Sequence, residues 1–291
     1  MRGGADRSWR TALAEARARL AADGVPTAEV DARRMVERAS GYDGSELVVH
    51  LGEPVPHRAR AHLDTMVERR AVGAPLQYVL GRWAFRHLDL LVDRRVLIPR
   101  PETEQVVDVA LTELRRLAPG RPTTVVDLGT GSGAIALSVA VEVVTARVWG
   151  SDVSPDALAV ARANLAGIGR PAARVCLVEG DWFSALPGEL RGAVDMVVAN
   201  PPYVAADDHL PPEVADWEPS TALVAGPTGL EHLARIVGEA PRWLEPAGAL
   251  VLELAPHQAE TISSAARAAG FADVEVRPDL AGRHRVLLAR R

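Results

Sequence analysis

The sequence contains no lysine, so all 33 of its basic side chains are arginines, which we attribute to codon bias rather than to chemistry. Acidic residues outnumber them at 38, and the net charge is −5. A protein that binds nucleic acid through its phosphates needs a basic surface, and this composition offers no strong positive field. We therefore expect no direct binding of nucleic acid.

Cysteine is nearly absent as well, because Cys176 is the single one in 291 residues. An internal disulfide is thereby excluded, and the apolar run 174–178 indicates a small buried side chain rather than a nucleophile. The eight histidines are scattered, and no group of metal-binding residue types has the spacing of ligands. We expect no metal site.

Long apolar runs are also missing. No stretch is apolar over enough residues to span a bilayer, and the first residues do not resemble a signal peptide. The composition, 48% hydrophobic and 24% charged, is that of an ordinary globular protein, and the length suits one large and one small domain. We expect a cytoplasmic protein that does not associate with membranes.

The most informative stretch is a predicted buried strand over 194–199 that runs directly into Asn200, Pro201, Pro202 and Tyr203. Each proline holds the preceding residue extended and offers no N–H, so this loop is stiff. The Asn200 side-chain oxygen and the Pro201 carbonyl suit the two hydrogens of a planar NH2 group, with the Tyr203 ring as an apolar wall. The indicated substrate is a carboxamide or an exocyclic amine. The structural alternative is a strand-terminating Pro-Pro turn with an asparagine cap.

The first part of the chain is helical in pattern. Four helices are predicted over residues 7–70, with the third over 45–51 and the fourth over 56–70. Residues 1–70 carry 12 arginines and 11 acidic residues, so this bundle is nearly neutral and unlike a nucleic-acid-binding arm. We assign residues 1–72 to a small helical domain with substrate recognition as the hypothesis, the alternative being a domain that merely packs.

Between residues 73 and 98 the pattern changes. Large apolar residues alternate on either side of Gly81 and Arg82, which predicts a β-hairpin linking two domains. Residues 96–104 contain two prolines around Arg100, and the second proline is placed to open the next helix. This stretch is either a proline-stiffened linker or one wall of a substrate site, and the residue pattern is compatible with both.

From Thr123 onward strands and helices alternate, which is the signature of a parallel sheet with helices on both faces. The first strand ends in a glycine-rich turn that permits a close approach of a ligand to the backbone at a helix start. The turn lacks the Gly-Lys-Ser/Thr ending of a phosphate-binding P-loop. Its residues are Gly129, Thr130, Gly131, Ser132 and Gly133.

Carboxylates follow the next two strands. Asp152 is placed to accept hydrogen bonds from the two hydroxyls of a ribose, because Ser154 fits the cap of the following helix better and leaves Asp152 for a ligand. Asp181 is placed to accept from the amino group of an adenine, and Trp182 to cover its ring. As an alternative, two adjacent aromatic residues after a strand, here Trp182 and Phe183, just as often only pack against the protein core. In sequence order, these groups indicate a nucleoside site beside an amide site.

Taken together, the strand ends resemble those of class I methyltransferases that use S-adenosylmethionine, with the Asn-Pro-Pro-Tyr loop as their amino-methylating motif. Further motifs narrow the resemblance to the HemK/PrmC family, the glutamine methyltransferases of peptide chain release factors. The motifs are Gly73-Ala-Pro75-Leu-Gln77-Tyr78, Leu97-Ile98-Pro99-Arg100-Pro101-Glu102-Thr103-Glu104, Asp127-Leu-Gly129-Thr-Gly131-Ser-Gly133, Asn200-Pro201-Pro202-Tyr203 and Asp279-Leu-Ala-Gly282-Arg283.

The resemblance implies an α/β fold, with a seven-stranded Rossmann-like methyltransferase domain over residues 99–291 whose last strand is antiparallel. It implies S-adenosyl-L-methionine as the cofactor and S-adenosyl-L-homocysteine as the product. The implied cofactor contacts are the glycine turn, Asp152, Trp182 and Asn200. Asp181 is a further predicted contact, as the acceptor for the adenine amino group. The implied reaction methylates N5 of the glutamine in the Gly-Gly-Gln motif of class-one release factors, which supports translation termination. That glutamine would lie on Asn200, Pro201, Pro202 and Tyr203.

The sequence departs from the family pattern at residues 225–230 and 253–255, where the family usually has Gly-Gly-x-Asp-Gly-Leu and Glu-Ile-Gly. We expect neither stretch to touch the chemistry, although both affect loop fit around the substrate. Residues 207–219 are either a lid or a plain surface loop. Two other functions stay open, namely methylation of a ribosomal-protein glutamine and of an adenine amino group in DNA or RNA. The net charge and the lack of a base-reading module disfavour the adenine reaction.

Overall fold

The computed structural model describes residues 8–117 and 119–291. Contacts between residues divide the chain into two compact units. The first unit extends to Arg82 and also contains Pro212–Trp217, and the second consists of Trp83–Pro211 and Glu218–Arg291. The division falls inside the predicted linker, and the roles assigned to the two domains stay predictions. The predicted helical region begins at residue 7 and its domain at residue 1, and both positions lie outside the described residues.

Four helices make up most of the first unit, as the sequence predicts. They are α1 (Trp9–Ala22), α2 (Ala28–Ser40), α3 (Ser45–His50) and α4 (His57–Ala71). Ser8 caps α1, because its Oγ accepts a hydrogen bond from the Thr11 N–H at 3.3 Å. Apolar side chains at helical spacing form the core of the unit. Among them are Trp9, Leu20, Met35, Leu63 and Met66.

The predicted hairpin exists but lies later in the chain than the sequence pattern placed it. Leu76–Leu80 forms a short helix, α5, and the two hairpin strands are β1 (Arg82–Phe85) and β2 (Leu88–Leu91). Gly81 is therefore not in the hairpin turn; it has a φ of 69° and ends α5 as a left-handed cap. A helix of five residues is too short to show a helical period. Its apolar residues were therefore compatible with the alternating pattern of a strand.

The second unit alternates strands and helices. Its strands are β3 (Thr123–Leu128), β4 (Ala146–Asp152), β5 (Val175–Glu179), β6 (Val194–Ala199), β7 (Val204–Ala205), β8 (Val224–Gly226), β9 (Leu244–Glu253), β10 (Asp273–Pro278) and β11 (His284–Arg290). The remaining helices are α6 (Pro101–Leu117), α7 (Ala134–Glu142), α8 (Pro155–Gly167), α9 (Pro212–Ala215, in the first unit), α10 (Glu231–Glu239) and α11 (Ala259–Ala268). Short 3₁₀ turns lie at Arg170–Arg174, Trp182–Ala185, Gly188–Leu190, Ser220–Ala222, Ala240–Arg242 and Pro256–Gln258.

Seven of these strands form one sheet in the order β5, β4, β3, β6, β9, β11, β10. β11 is antiparallel to both of its neighbours, and the other pairs are parallel, which confirms the predicted sheet. The chain adds β4 and β5 on one side of β3 and then returns to place β6 on the other side. Loops after adjacent parallel strands diverge at such a reversal and leave a crevice at the carboxyl edge of the sheet.

Cys176 is exposed, so the prediction of a buried side chain is wrong. It lies on β5, an edge strand on which no residue is fully buried. An apolar run at a sheet edge is covered less than the same run in a central strand, and a pattern of residue types does not distinguish the two. Within the described ranges, no helix has the combined length and apolarity that crossing a bilayer requires.

A buried ion pair joins two helices of the first unit. Arg70 Nε donates to Asp31 Oδ2 at 2.7 Å, and these side chains are only 8% and 4% exposed. Arg70 Nη1 also donates to Ala74 O at 3.1 Å and to Glu213 Oε1 at 2.7 Å. Arg70 therefore connects α4 to α2 and attaches α9 to the helices of the same unit.

Replacing Arg70 by methionine should lower the free energy of unfolding by about 3–5 kcal/mol, because Asp31 would be left as a buried charge without its partner. Arg60→Met in the same helix is the matched control. Arg60 pairs with Glu15 and Asp64, but all three side chains are 41–52% exposed, so its loss should cost less than about 1 kcal/mol. Denaturant unfolding of both variants checks this, and equal losses would contradict it.

Candidate active site

A cavity opens at the carboxyl edge of the sheet in the second unit. The ends of β3, β4, β5 and β6 contribute to it, as expected at a reversal of strand order. The predicted site residues that line it are Gly129, Thr130, Gly131, Ser132, Asp152, Asp181, Trp182, Asn200 and Pro202. The predicted residues that do not line it are Gly133, Pro201 and Tyr203.

The glycine turn is bonded to the neighbouring strand. The Gly129 and Thr130 N–H groups donate to Ser151 O at 2.8 and 2.9 Å. Gly129 has a φ of 71°, and a Cβ there would lie 3.2 Å from the Trp182 ring, so glycine suits both the conformation and the close approach. A Cβ at Gly133 would lie 3.0 Å from Leu137, so Gly133 serves the packing of the turn onto α7 rather than the cavity.

Asp127 supports the glycine turn through hydrogen bonds. Its Oδ2 accepts from Thr130 Oγ1 at 2.7 Å and from the Ala136 N–H at 3.1 Å. Asp127 is fully buried, and burial raises its pKa to about 7. The sequence placed Asp127 in a family motif without a role of its own, although an acid inside an apolar strand was the available signal for a buried structural carboxylate.

Asp152 accepts two backbone hydrogen bonds beside the cavity. Oδ2 accepts from the Gly131 N–H at 2.8 Å, and Oδ1 accepts from the Ser154 N–H at 2.9 Å. Ser154 caps α8 through the Ala157 N–H at 3.1 Å, as predicted. Burial raises the pKa of Asp152, and the two amides oppose that shift. Each oxygen of a carboxylate accepts about two hydrogen bonds, so both retain acceptor capacity for ligand hydroxyls.

The residues after β5 also line the cavity. Asp181 Oδ2 accepts from Arg235 Nη1 at 2.7 Å, which leaves acceptor capacity on the carboxylate. Trp182 has a φ of 51°, a conformation that is costly for an aromatic residue and marks functional sites more often than ordinary loops. Its ring lies 5.2 Å from that of His232, which also lines the cavity. Burial lowers the pKa of His232, a residue that no sequence pattern indicated.

Asn200 is the start of a chain of hydrogen bonds that leads away from the cavity. Its Nδ2 donates to Thr103 Oγ1 at 3.1 Å, and Thr103 Oγ1 donates to Glu253 Oε2 at 2.7 Å. The Tyr203 hydroxyl donates to Glu253 Oε1 at 3.1 Å. Glu253 is 1% exposed. Two residues of the Asn-Pro-Pro-Tyr loop are thus tied, directly or through Thr103, to one buried carboxylate.

Both stretches that depart from the family pattern contact this loop, through Glu253 and Gly229, two residues at which they match the pattern. The expectation that neither stretch touches the chemistry stays a prediction. Glu253 accepts from Tyr203 as described, and Gln258 Nε2 donates to Tyr203 O at 2.8 Å and to Gly229 O at 3.0 Å. A Cβ at Gly229 would lie 2.6 Å from Tyr203 O, which excludes a side chain there. The sequence did not reveal these contacts because the partners are far apart along the chain.

The proline-rich stretch before α6 is a wall of the cavity rather than a plain linker. Arg95, Val96, Leu97, Pro99 and Thr103 all line the cavity. Buried Glu218 holds this wall, because its Oε2 accepts from the Ile98 N–H at 3.0 Å and its Oε1 pairs with Arg100. Pro219, which follows directly, lines the cavity as well. The suggestion that residues 207–219 act as a lid stays a prediction.

No group of three or more histidine, cysteine, aspartate or glutamate side chains is arranged to hold a metal ion in the part of the chain that the structure describes. The expectation that the protein uses no metal stays a prediction. The cavity instead offers backbone amides, carboxylates, an aromatic ring and a side-chain amide. This donor and acceptor set suits an organic ligand with hydroxyl and amino groups next to a substrate amide.

Two family models match the chain. The model of the PrmC N-terminal domain matches residues 11–81, and that of the methyltransferase small domain matches residues 105–215. Proteins named release factor glutamine methyltransferase are similar over nearly the whole length. The one from Deinococcus radiodurans is 42% identical over 284 residues, which cover 97% of this chain and 98% of that protein. The one from Mycolicibacterium smegmatis is 40% identical over 286 residues, with 97% of each covered.

Solved structures share the fold of this chain. A methyltransferase from Pyrococcus furiosus superimposes with a TM-score of 0.50 at 19% identity, covering 71% of this chain and 90% of that one. The catalytic domain of hMettl16 superimposes with a TM-score of 0.53 at 15% identity, covering 80% of each chain. At these identities the likeness shows the fold alone. The predicted Rossmann-like methyltransferase fold with its N-terminal helical region is confirmed.

Proposed function

The chain belongs to the release factor glutamine methyltransferase family, and on that premise we propose that it methylates N5 of the glutamine in the Gly-Gly-Gln motif of class-one peptide chain release factors. The proposal includes S-adenosyl-L-methionine as the methyl donor and S-adenosyl-L-homocysteine as the product. The observation that carries it is that Asn200 faces the same cavity as the glycine turn and Asp152. A release factor substrate would place the reaction in the cytoplasm, and the helical unit is proposed to contact that substrate.

The residues around the cavity fit this cofactor. The amides of the glycine turn border the cavity, the Asp152 carboxylate has acceptor capacity for ribose hydroxyls, and the Trp182 ring closes over Gly129. We assign the amino group of the adenine to Asp181. When bound, the cofactor supplies an electrophilic methyl group on a sulfonium centre. Asn200, which follows β6, would lie between the residues that bind the cofactor and the substrate glutamine.

The chain's contribution to the chemistry is to orient a poor nucleophile. An amide nitrogen shares its lone pair with the carbonyl, so it attacks only when it is held in the right geometry. The Asn200 oxygen would accept one of its two hydrogens and stabilise positive charge that develops on the nitrogen. The second predicted acceptor, the Pro201 carbonyl, belongs to a residue that does not line the cavity, so its role stays a prediction. Positioning of this kind supplies up to roughly 7–11 kcal/mol. A strong general base is not needed, because the methylated nitrogen loses its proton readily.

The two alternative reactions, on a ribosomal-protein glutamine or on an adenine amino group, use a similar acceptor loop. No observation favours either, whereas the full-length relatives are named for release factors. Incubation of the protein with labelled cofactor and purified release factors, ribosomal proteins or DNA separates the three reactions. We expect label in the release factor, and none when its Gly-Gly-Gln glutamine is replaced by alanine. Label that appears only in a ribosomal protein or in DNA would refute the proposal.

Replacing Asn200 by alanine should cut methyl transfer by at least roughly a hundredfold, because one of the two acceptors for the substrate amide is lost. Affinity for S-adenosyl-L-homocysteine should stay close to that of the wild type, since the acceptor faces the substrate amide. Single-turnover rates and calorimetry on the same preparation check both parts. Wild-type turnover in the variant would discard the proposed role of Asn200.

Replacing Asp152 by alanine should weaken binding of S-adenosyl-L-homocysteine by about 1–3 kcal/mol, through lost charge-assisted hydrogen bonds to ribose hydroxyls. Asp156→Ala is a matched control, because Asp156 is an exposed acid in the first turn of the same helix, α8, and does not line the cavity. Calorimetry should show an unchanged affinity for this control. Unchanged affinity in Asp152→Ala as well would indicate that Asp152 only supports the loop.

A further inference from the structure

We propose that Thr103 and Glu253 are positioning residues that determine which end of the Asn200 side-chain amide faces the substrate. This inference rests on the proposed function, because it concerns the acceptor that would hold the substrate amide. Neither residue is proposed to contact the reacting atoms. They act through Asn200, and their effect is on its orientation.

The polarity of the hydrogen-bond chain sets that orientation. An ionised carboxylate can only accept hydrogen bonds, so Glu253 requires Thr103 to donate its single hydroxyl proton at 2.7 Å. The Thr103 oxygen can then only accept at its other contact, which is Asn200 at 3.1 Å. The NH2 end of Asn200 satisfies this requirement and the carbonyl end does not. With the NH2 end held by Thr103, the carbonyl oxygen is the end that remains for a ligand.

A reversed amide would place two oxygens 3.1 Å apart with no proton between them. It would also present NH2 donors to the substrate NH2 group, and two donors repel each other. An asparagine without Thr103 has no such preference, because its two ends are nearly equal in size. The contribution of Thr103 is therefore specificity of orientation and not merely packing.

Each carboxylate oxygen of Glu253 accepts from one hydroxyl, Oε2 from Thr103 and Oε1 from Tyr203. Burial raises the pKa of Glu253, and the two hydroxyls and the charge of Arg285 oppose that shift. Glu253 ends β9, next to β6 in the sheet, so it is carried by the strand adjacent to the one that carries Asn200. Adjacent strands thus hold the two ends of the hydrogen-bond chain, and its middle member, Thr103, belongs to α6.

Thr103→Val and Thr103→Ser form the matched pair that tests the proposal. Valine keeps the shape of threonine and removes the hydroxyl, whereas serine keeps the hydroxyl. We expect the valine variant to lose at least about tenfold in kcat, with KM for the release factor and affinity for S-adenosyl-L-homocysteine within about threefold of the wild type. The serine variant should recover kcat to within about threefold of the wild type.

Glu253→Gln tests whether the residues act as a unit. A glutamine accepts from one of the two hydroxyls and donates toward the other, so the polarity of the chain is no longer fixed. We expect kcat of the double variant Thr103→Val/Glu253→Gln to be no lower than that of the worse single variant, since one interaction is being removed twice. Fully additive losses would show that the two residues act separately and would overturn the proposal.

A readout independent of turnover separates this inference from the proposed function. In the complex with S-adenosyl-L-homocysteine, the side-chain NH2 resonance of Asn200, identified by its loss in Asn200→Ala, should shift in Thr103→Val and stay in place in Thr103→Ser. Failure of the wild type to methylate a release factor would refute the function and leave this test intact. An unshifted resonance in Thr103→Val, or a serine variant as slow as the valine variant, would overturn the inference.

Discussion

Parallel strands end at one edge of a sheet, and here the reversal of strand order between β3 and β6 turns that edge into a crevice. The glycine turn follows β3, Asp152 ends β4 and Asn200 follows β6. Residues far apart in the sequence therefore face one cavity, each directly after a strand with a buried core. The geometry of the site is set by the backbone of the sheet, and the loops need only be short and stiff.

Three buried carboxylates lie behind the residues that face this cavity. Asp127 holds the glycine turn, Glu218 holds the proline-rich wall, and Glu253 holds the Asn-Pro-Pro-Tyr loop. Their exposure is 0%, 6% and 1%, and each accepts hydrogen bonds from two different residues. Removing a carboxylate from water costs several kcal/mol, which these donors offset only in part. Such a cost is tolerated where the supporting groups fix the geometry of a functional site.

The sequence was sufficient to predict the sheet and the strand ends, because buried apolar runs followed by glycine, acid or proline are local signals. It placed the glycine turn, Asp152 and Asn200 in one site for the same reason. It misplaced the hairpin, since five residues of α5 are too few to show a period. It also missed Thr103 and Glu253, which are 150 positions apart and meet only in the folded chain. Orientation of a side-chain amide is a tertiary property, and no local pattern encodes it.

The placement of the Glu253 carboxyl group behind Asn200 also has a physical consequence for the proposed reaction. Methyl transfer from a sulfonium moves a positive charge from sulfur to nitrogen, so a carboxylate in place of Asn200 would attract that charge before and after the transfer. Attraction that is equal in the ground and transition states lowers no barrier. The neutral carbonyl of Asn200 interacts over a short range with N–H hydrogens and therefore responds chiefly to charge on the nitrogen. A carboxylate placed one hydroxyl behind Asn200 orients this dipole without contacting the reacting atoms.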